Sequence, residues 1–151
     1  MEKENKKIII PEMFQINAPE SDYLFVEPSQ IPNSGSGLFT AIPIYKGEII
    51  SVFEGEILSD QESKNRAEKG LDGYFINLLD GSIMDSRNVD CFAKYANDSQ
   101  GLVKSKFKNN SLITLDDEDR VCIVATKAIK SGAEIFCDYG SGYWEKHKLD
   151  G

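Results

Sequence analysis

Histidine is almost missing from this chain of 151 residues: His147 stands alone in a polar tail. A histidine-based catalytic triad or metal centre therefore has little material to work with. Cysteine is scarce as well. Cys91, Cys122 and Cys137 are widely spaced, odd in number and without CxxC spacing, which argues against both a disulfide framework and a structural zinc. Cys122 reads as a small buried hydrophobe. No apolar run approaches the roughly 20 residues that a membrane-spanning helix needs, and Ile8-Ile9-Ile10, with acidic residues nearby, is too short for a signal-peptide core. No Gly-rich loop leads into a long helix, so a Rossmann-type nucleotide site is not expected. Internal repeats and low-complexity segments are lacking too. These absences point to a nuclear or cytoplasmic protein without a membrane partner.

Positive charge is in deficit. Seventeen Lys and Arg face 25 Asp and Glu, a formal net charge of −8. Such a surface repels a nucleic-acid backbone and attracts a basic protein or peptide, although net negative charge also serves solubility alone.

What the chain does contain is enough for one domain: 40% of its residues are hydrophobic and 28% charged. Residues 1–22 read as a polar lead-in with Lys6-Lys7 and two prolines, 23–145 as the domain, and 146–151 as a tail. From Tyr23 onward, short apolar runs alternate with Gly, Pro, Asn and Asp, the pattern of many short strands. Strands are expected at 23–26, 37–40, 48–53, 74–78, 82–85, 112–115 and 121–125. One surface helix is expected at 60–69, capped by Ser59, acidic in its first turn and ended by Gly70, with a further helical turn around 89–95. The expected class is mostly β: several small sheets with one or two short helices.

Four segments carry candidate chemistry. Gly35-Ser36-Gly37-Leu38 precedes Lys46-Gly47-Glu48; glycines at i and i+2 allow close backbone approach to a ligand, though alone such a pair is ordinarily a turn. Tyr74-Phe75-Ile76 leads to Ile83-Met84-Asp85. Lys94-Tyr95-Ala96-Asn97-Asp98-Ser99 is followed by Asn109-Asn110; the Asn97 amide has donor and acceptor for a ligand, or for a local turn. Finally, an apolar run ends in Cys137-Asp138-Tyr139-Gly140, with Tyr143-Trp144 beyond, where Tyr139 is either a phenol in a pocket or a corner residue.

In this order and spacing the four segments resemble the SET domain, whose pattern runs from a GxG with "KGE", through a "Y-x-F" strand, an "iDa" step, and "RFxNHS" with "PN", to "GEEltxDYG". The resemblance spans residues 23 to 145 and implies the SET fold, with a C-terminal pseudoknot. It also implies a protein-lysine N-methyltransferase that uses S-adenosylmethionine, releases S-adenosylhomocysteine, and favours histone tails.

Carried onto this chain, the resemblance assigns cofactor binding to Gly35, Ser36, Gly37, Leu38, Tyr95, Asn97 and Asp98. Tyr139 becomes the catalytic tyrosine, joined by Tyr74, which also lines the lysine channel. Phe53, Cys137, Tyr143 and Trp144 complete that channel, Trp144 being either a lid or a core anchor. Asn110 marks the pseudoknot. Cys137, smaller than the Phe or Tyr of relatives, implies room for more than one methyl group. No metal is implied. The substrate lysine must lose its proton, and its reference pKa is about 10.4. A desolvating aromatic channel and a nearby sulfonium both favour the neutral amine, the latter by about 3 kcal/mol at a separation of roughly 5 Å.

The chain departs from the pattern where Asp98 stands for the family's His, Lys94 for its Arg, and Asp90-Cys91 for its "GN". Those departures leave open a catalytically silent SET-like binding module, and a methyltransferase of a non-histone protein stays open because specificity lies in the variable stretch 55–74 and in the lid.

Overall fold

The strand β9 (Val121–Ala125) is apolar at every position and buried at all five, as expected of a strand with neighbours on both edges. In the computed structural model, which describes residues 12–78, 80–100 and 105–138, it is the centre of a five-stranded sheet. Its neighbours are β4 (Glu48–Val52) and β8 (Ser111–Leu115), both antiparallel to it. Two-residue strands close the edges, each parallel to its partner: β1 (Phe14–Gln15) on β4 and β11 (Cys137–Asp138) on β8.

A second sheet orders β10 (Glu134–Ile135), β3 (Ser36–Thr40) and β2 (Leu24–Pro28). A third orders β5 (Glu56–Leu58), β7 (Ile83–Asp85) and β6 (Phe75–Asn77). Between them lies a core that includes Leu38, Ile44, Ile50, Ile123 and Ile135, all fully buried. The Tyr23 hydroxyl donates to the Ile50 carbonyl at 2.8 Å, and burial pushes its pKa up.

The seven expected strands are all present, with ends that differ by a residue or two. The helix α1 (Asp60–Glu68) starts where the cap predicted: the Ser59 side chain accepts the Glu62 N–H at 3.1 Å. Gly70, at φ +74°, follows its C-cap. The helical turn expected near 89–95 is a single 3-10 turn at Ala93–Tyr95. Four strands, β1, β5, β10 and β11, lie outside the sequence expectation. At two or three residues they carry no period, and their partners define them.

Arg66 ties α1 to the third sheet. Its guanidinium reaches Glu62, Glu56 and Asp85, each at 2.8 Å. Asp85 is fully buried, and its other oxygen accepts the Arg87 N–H at 3.0 Å. A buried carboxylate is tolerated only with such partners. Asp85→Ala is expected to lower unfolding free energy by about 2–3 kcal/mol, against less than about 1 kcal/mol for Glu62→Ala at the exposed end of the network. Urea midpoints of the two variants decide it, and equal losses would contradict this account.

Asp116, buried in the turn between β8 and β9, is held in the same way. Burial works against its ionisation, but the backbone N–H groups of Arg120 and Glu118 and the Arg120 guanidinium outweigh it. Its carboxyl therefore titrates below its usual range. A folded-state pKa below the unfolded one gives stability that is full above pH about 4 and lost as pH falls through the folded value. Asp116→Asn is expected to flatten the acid limb of stability against pH; an unaltered limb would count against the assignment.

Candidate functional site

The GxG segment forms the entry to β3. Ser29 N donates to Gly35 O at 2.7 Å, closing the loop, and Gly35 takes φ +67°. Gly35 and Ser36 are exposed, and a side chain at Gly35 would meet nothing within 4 Å. Gly37 is the reverse: a Cβ there would overlap the Glu134 carboxylate and lie 3.2 Å from Ser29 Cα. Leu38 buries its side chain completely in the core.

Glu134 explains why Gly37 has no room. It is 2% exposed, and its two oxygens accept Ser29 Oγ and Gln30 N, each at 2.8 Å. A buried carboxylate thus shapes the loop from beneath. The sequence reading missed this role because glutamate is ordinarily a surface residue; its one signal was its place in the last segment, where Gly132-Ala133-Glu134 falls on the family's "GEE".

Asn97 meets this loop from the other end of the sequence. Its Nδ2 donates to Ser36 O at 3.0 Å across 61 residues. Its backbone bridges Phe136 in parallel, and its carbonyl accepts Cys137 N at 2.8 Å. Asn110 holds the same segment: Nδ2 donates to Glu134 O at 3.1 Å, and Oδ1 accepts Phe136 N at 3.0 Å. Phe136 stacks on Phe107 with ring centroids 5.2 Å apart.

Asp98, the residue at the family's histidine position, braces the next loop. Its Oδ1 accepts Gln100 N at 2.9 Å and Asn109 Nδ2 at 2.8 Å. Asn109 in turn accepts Ser99 N and Ser99 Oγ through Oδ1.

The aromatic residues gather in two steps. Phe53 and Cys137 are buried in the same core cluster, and half-buried Tyr95 packs against it. Burial, partly offset by the Ser111 side chain, pushes the Cys137 thiol well above its ordinary range, so it stays neutral. Tyr74 lies just before β6 and joins the others through cations. The Arg87 guanidinium sits 5.3 Å from the centroid of its ring and Lys94 Nζ 5.8 Å, while the same Nζ lies 5.4 Å from the Tyr95 centroid. Arg87 Nε is buried without a partner among the described residues. Tyr139, Tyr143 and Trp144 lie outside the described residues. No group of three or more potential metal-ligating side chains converges among the described residues.

Residues 35–140 match the family described as the SET domain. Among curated proteins, the histone-lysine N-methyltransferase EZH2 of Chaetomium thermophilum is 29% identical over 128 residues, covering 76% of this chain and 8% of the relative. The histone-lysine N-methyltransferase mes-2 of Caenorhabditis elegans is 27% identical over 125 residues, covering 81% and 15%. Among solved structures, a humanized mutant of the Chaetomium thermophilum Polycomb Repressive Complex 2 bound to the inhibitor GSK126 superposes with a TM-score of 0.63 at 28% identity. That match covers 78% of this chain and 15% of the other. The chain therefore spans a small part, 8% to 15%, of the proteins it resembles.

Gly37→Ala is expected to destabilise the protein by about 1–3 kcal/mol through overpacking against Glu134. Combined with Glu134→Ala, the two losses should sum to less than additive, because the second substitution removes the obstruction. Thermal melts of the single and double variants measure this, and full additivity would disprove the steric account.

Proposed function

The chain belongs to the SET-domain family, and on that premise we propose that it is a protein-lysine N-methyltransferase that draws its methyl group from S-adenosylmethionine and acts on a basic protein, a histone tail first among them. The observation that carries this is the meeting of Asn97 with the Gly35–Gly37 loop, two motifs 61 residues apart joined by one hydrogen bond.

The residues present fit the cofactor. Gly35 leaves one side of the loop open, with no atom within 4 Å of where a side chain would begin. Exposed main chain at Gly35 and Ser36 and the Asn97 amide supply polar groups at that opening. S-adenosylmethionine supplies the methyl group when bound. Gly35, Ser36, Gly37, Asn97 and Tyr95 would hold it, with Leu38 anchoring the strand beneath them. Asp98 acts on the loop it braces, through Gln100 and Asn109, so the loss of the family's histidine is met by a different support.

For the substrate, Phe53, Tyr74 and Cys137 would line the channel, with Tyr143 and Trp144 at its mouth. An aromatic wall desolvates the incoming ammonium and favours the neutral amine that must attack. Tyr139, next in sequence after β11, would orient that amine through its hydroxyl. Alignment of the reacting groups accounts for several kcal/mol in such a transfer. Cys137 is smaller than the Phe or Tyr of relatives and would leave room for more than one methyl group. The net charge of −8 supports a Lys- and Arg-rich partner over a nucleic acid. A nuclear location follows from that substrate class. No helix among the described residues is long and apolar enough to cross a membrane.

Isothermal titration with S-adenosylmethionine and S-adenosylhomocysteine is expected to show binding by the native protein, weakened about tenfold or more by Asn97→Ala. Mass spectrometry of purified core histones incubated with protein and S-adenosylmethionine should then find methyl groups added to lysine. Absence of binding to both compounds would replace this reading with a catalytically silent binding module. Binding without histone modification would move the substrate to a non-histone protein.

A further inference from the structure

Lys94 stands where the family's pattern has arginine, and its ammonium is more fully engaged than a solvated surface lysine would be. It donates to the carbonyls of Ser86 and Arg87 at 3.3 Å each and of Val89 at 2.9 Å. Those three acceptors match the three donors an ammonium has. They belong to one turn, closed by Val89 N on Ser86 O at 3.2 Å, which follows β7 directly. The same Nζ lies within the roughly 6 Å range of cation–π attraction of two rings from different elements. Tyr74 comes from the approach to β6, and Tyr95 from the 3-10 turn that carries Lys94 itself.

We propose that Lys94 is a positioning residue that couples the channel side of the site, at Tyr74, to the cofactor side, at Tyr95 and Asn97. This rests on the methyltransferase reading above. The physical path is short. The carbonyls fix the ammonium in space, and the ammonium fixes two rings against each other. Tyr95 is two residues from Asn97, whose amide holds Ser36 of the GxG loop. Arg87, 5.3 Å from the Tyr74 centroid, adds a second cation on the channel side only. A residue that merely capped the Ser86–Val89 turn would need donors but no charge and no rings. The two tyrosines around one ammonium are what distinguish coupling from capping.

The test is a set of double-mutant cycles read by S-adenosylhomocysteine affinity, with thermal melts to confirm folding. Tyr74→Leu removes the ring on the channel side. It is expected to weaken S-adenosylhomocysteine binding about threefold or more in the native background. In a Lys94→Gln background, which keeps donors for the carbonyls but no charge, the same substitution should change affinity by less than about 1.5-fold. Lys94→Arg, which keeps the charge, should restore the native response. Where Lys94→Gln does not melt cooperatively, Lys94→Met takes its place. An equal loss in the charged and neutral backgrounds, or no effect of Tyr74→Leu in the native one, would overturn the coupling while leaving the methyltransferase reading intact. Failure of the native protein to bind S-adenosylhomocysteine would remove that reading, and the coupling with it.

Discussion

Asn110 grips the segment 134–138 with both ends of its side-chain amide, giving a proton to Glu134 O and taking one from Phe136 N. Its own N–H donates to Phe136 O, and its carbonyl accepts Thr126 N. Five residues are thereby held where they serve two sheets: Glu134 and Ile135 pair with β3, Cys137 and Asp138 with β8. Phe136 between them bridges Asn97. Remove that grip and both sheets lose an edge at once, as does the platform under the GxG loop. An amide suits the task because it offers donor and acceptor at a fixed spacing.

Buried charge is the second theme of this molecule, and each instance is settled locally. Glu134 is satisfied by a hydroxyl and a backbone N–H and Asp85 by a guanidinium and a backbone N–H, while half-buried Lys94 meets three carbonyls. Glu134 joins segments more than 100 residues apart, whereas Lys94 fastens a turn five to eight residues before it. Charge in the interior is costly unless partnered, so these contacts favour one arrangement of the loops over others. The departures from the family pattern follow the same rule, since Asp98 and Lys94 each acquire partners suited to their own chemistry.

Most of the fold was legible because its longer strands carry their own signal. The short apolar runs within 37–40 and 121–125, set off by turn residues, need no partner to be recognised, and Ser59 with Gly70 brackets α1. β10 and β11 are different. They are strands only because β3 and β8 present edges to them, and no residue within Glu134–Asp138 announces that it changes sheets. At the site, the family pattern singled out Gly35, Gly37 and Asn97, and the structure brings them together. It did not reveal that Glu134 lies beneath Gly37, because a carboxylate replacing a missing side chain is a tertiary fact. The Lys94 cage was equally hidden, since its acceptors are backbone groups that exist in that arrangement only after the loop has closed. Phe53 and Cys137 share one core cluster, on which Tyr95 rests.

The order in which the chain is made gives the segment 134–138 a further meaning. Its contacts reach back 105 residues to Ser29 and 104 to Gln30, among the most distant pairings in the molecule. Loop-closure entropy is paid before such contacts return anything. During synthesis β1 and β4, β2 and β3, and the strands of the third sheet can pair early, yet the floor of the GxG loop stays open until Glu134 has emerged. The floor of the GxG loop is therefore laid after β2 and β3, by the stretch of chain that immediately precedes Tyr139. A growing chain short of this point would lack the edges of two sheets and the floor of the loop together, so cofactor binding would report that synthesis had passed it.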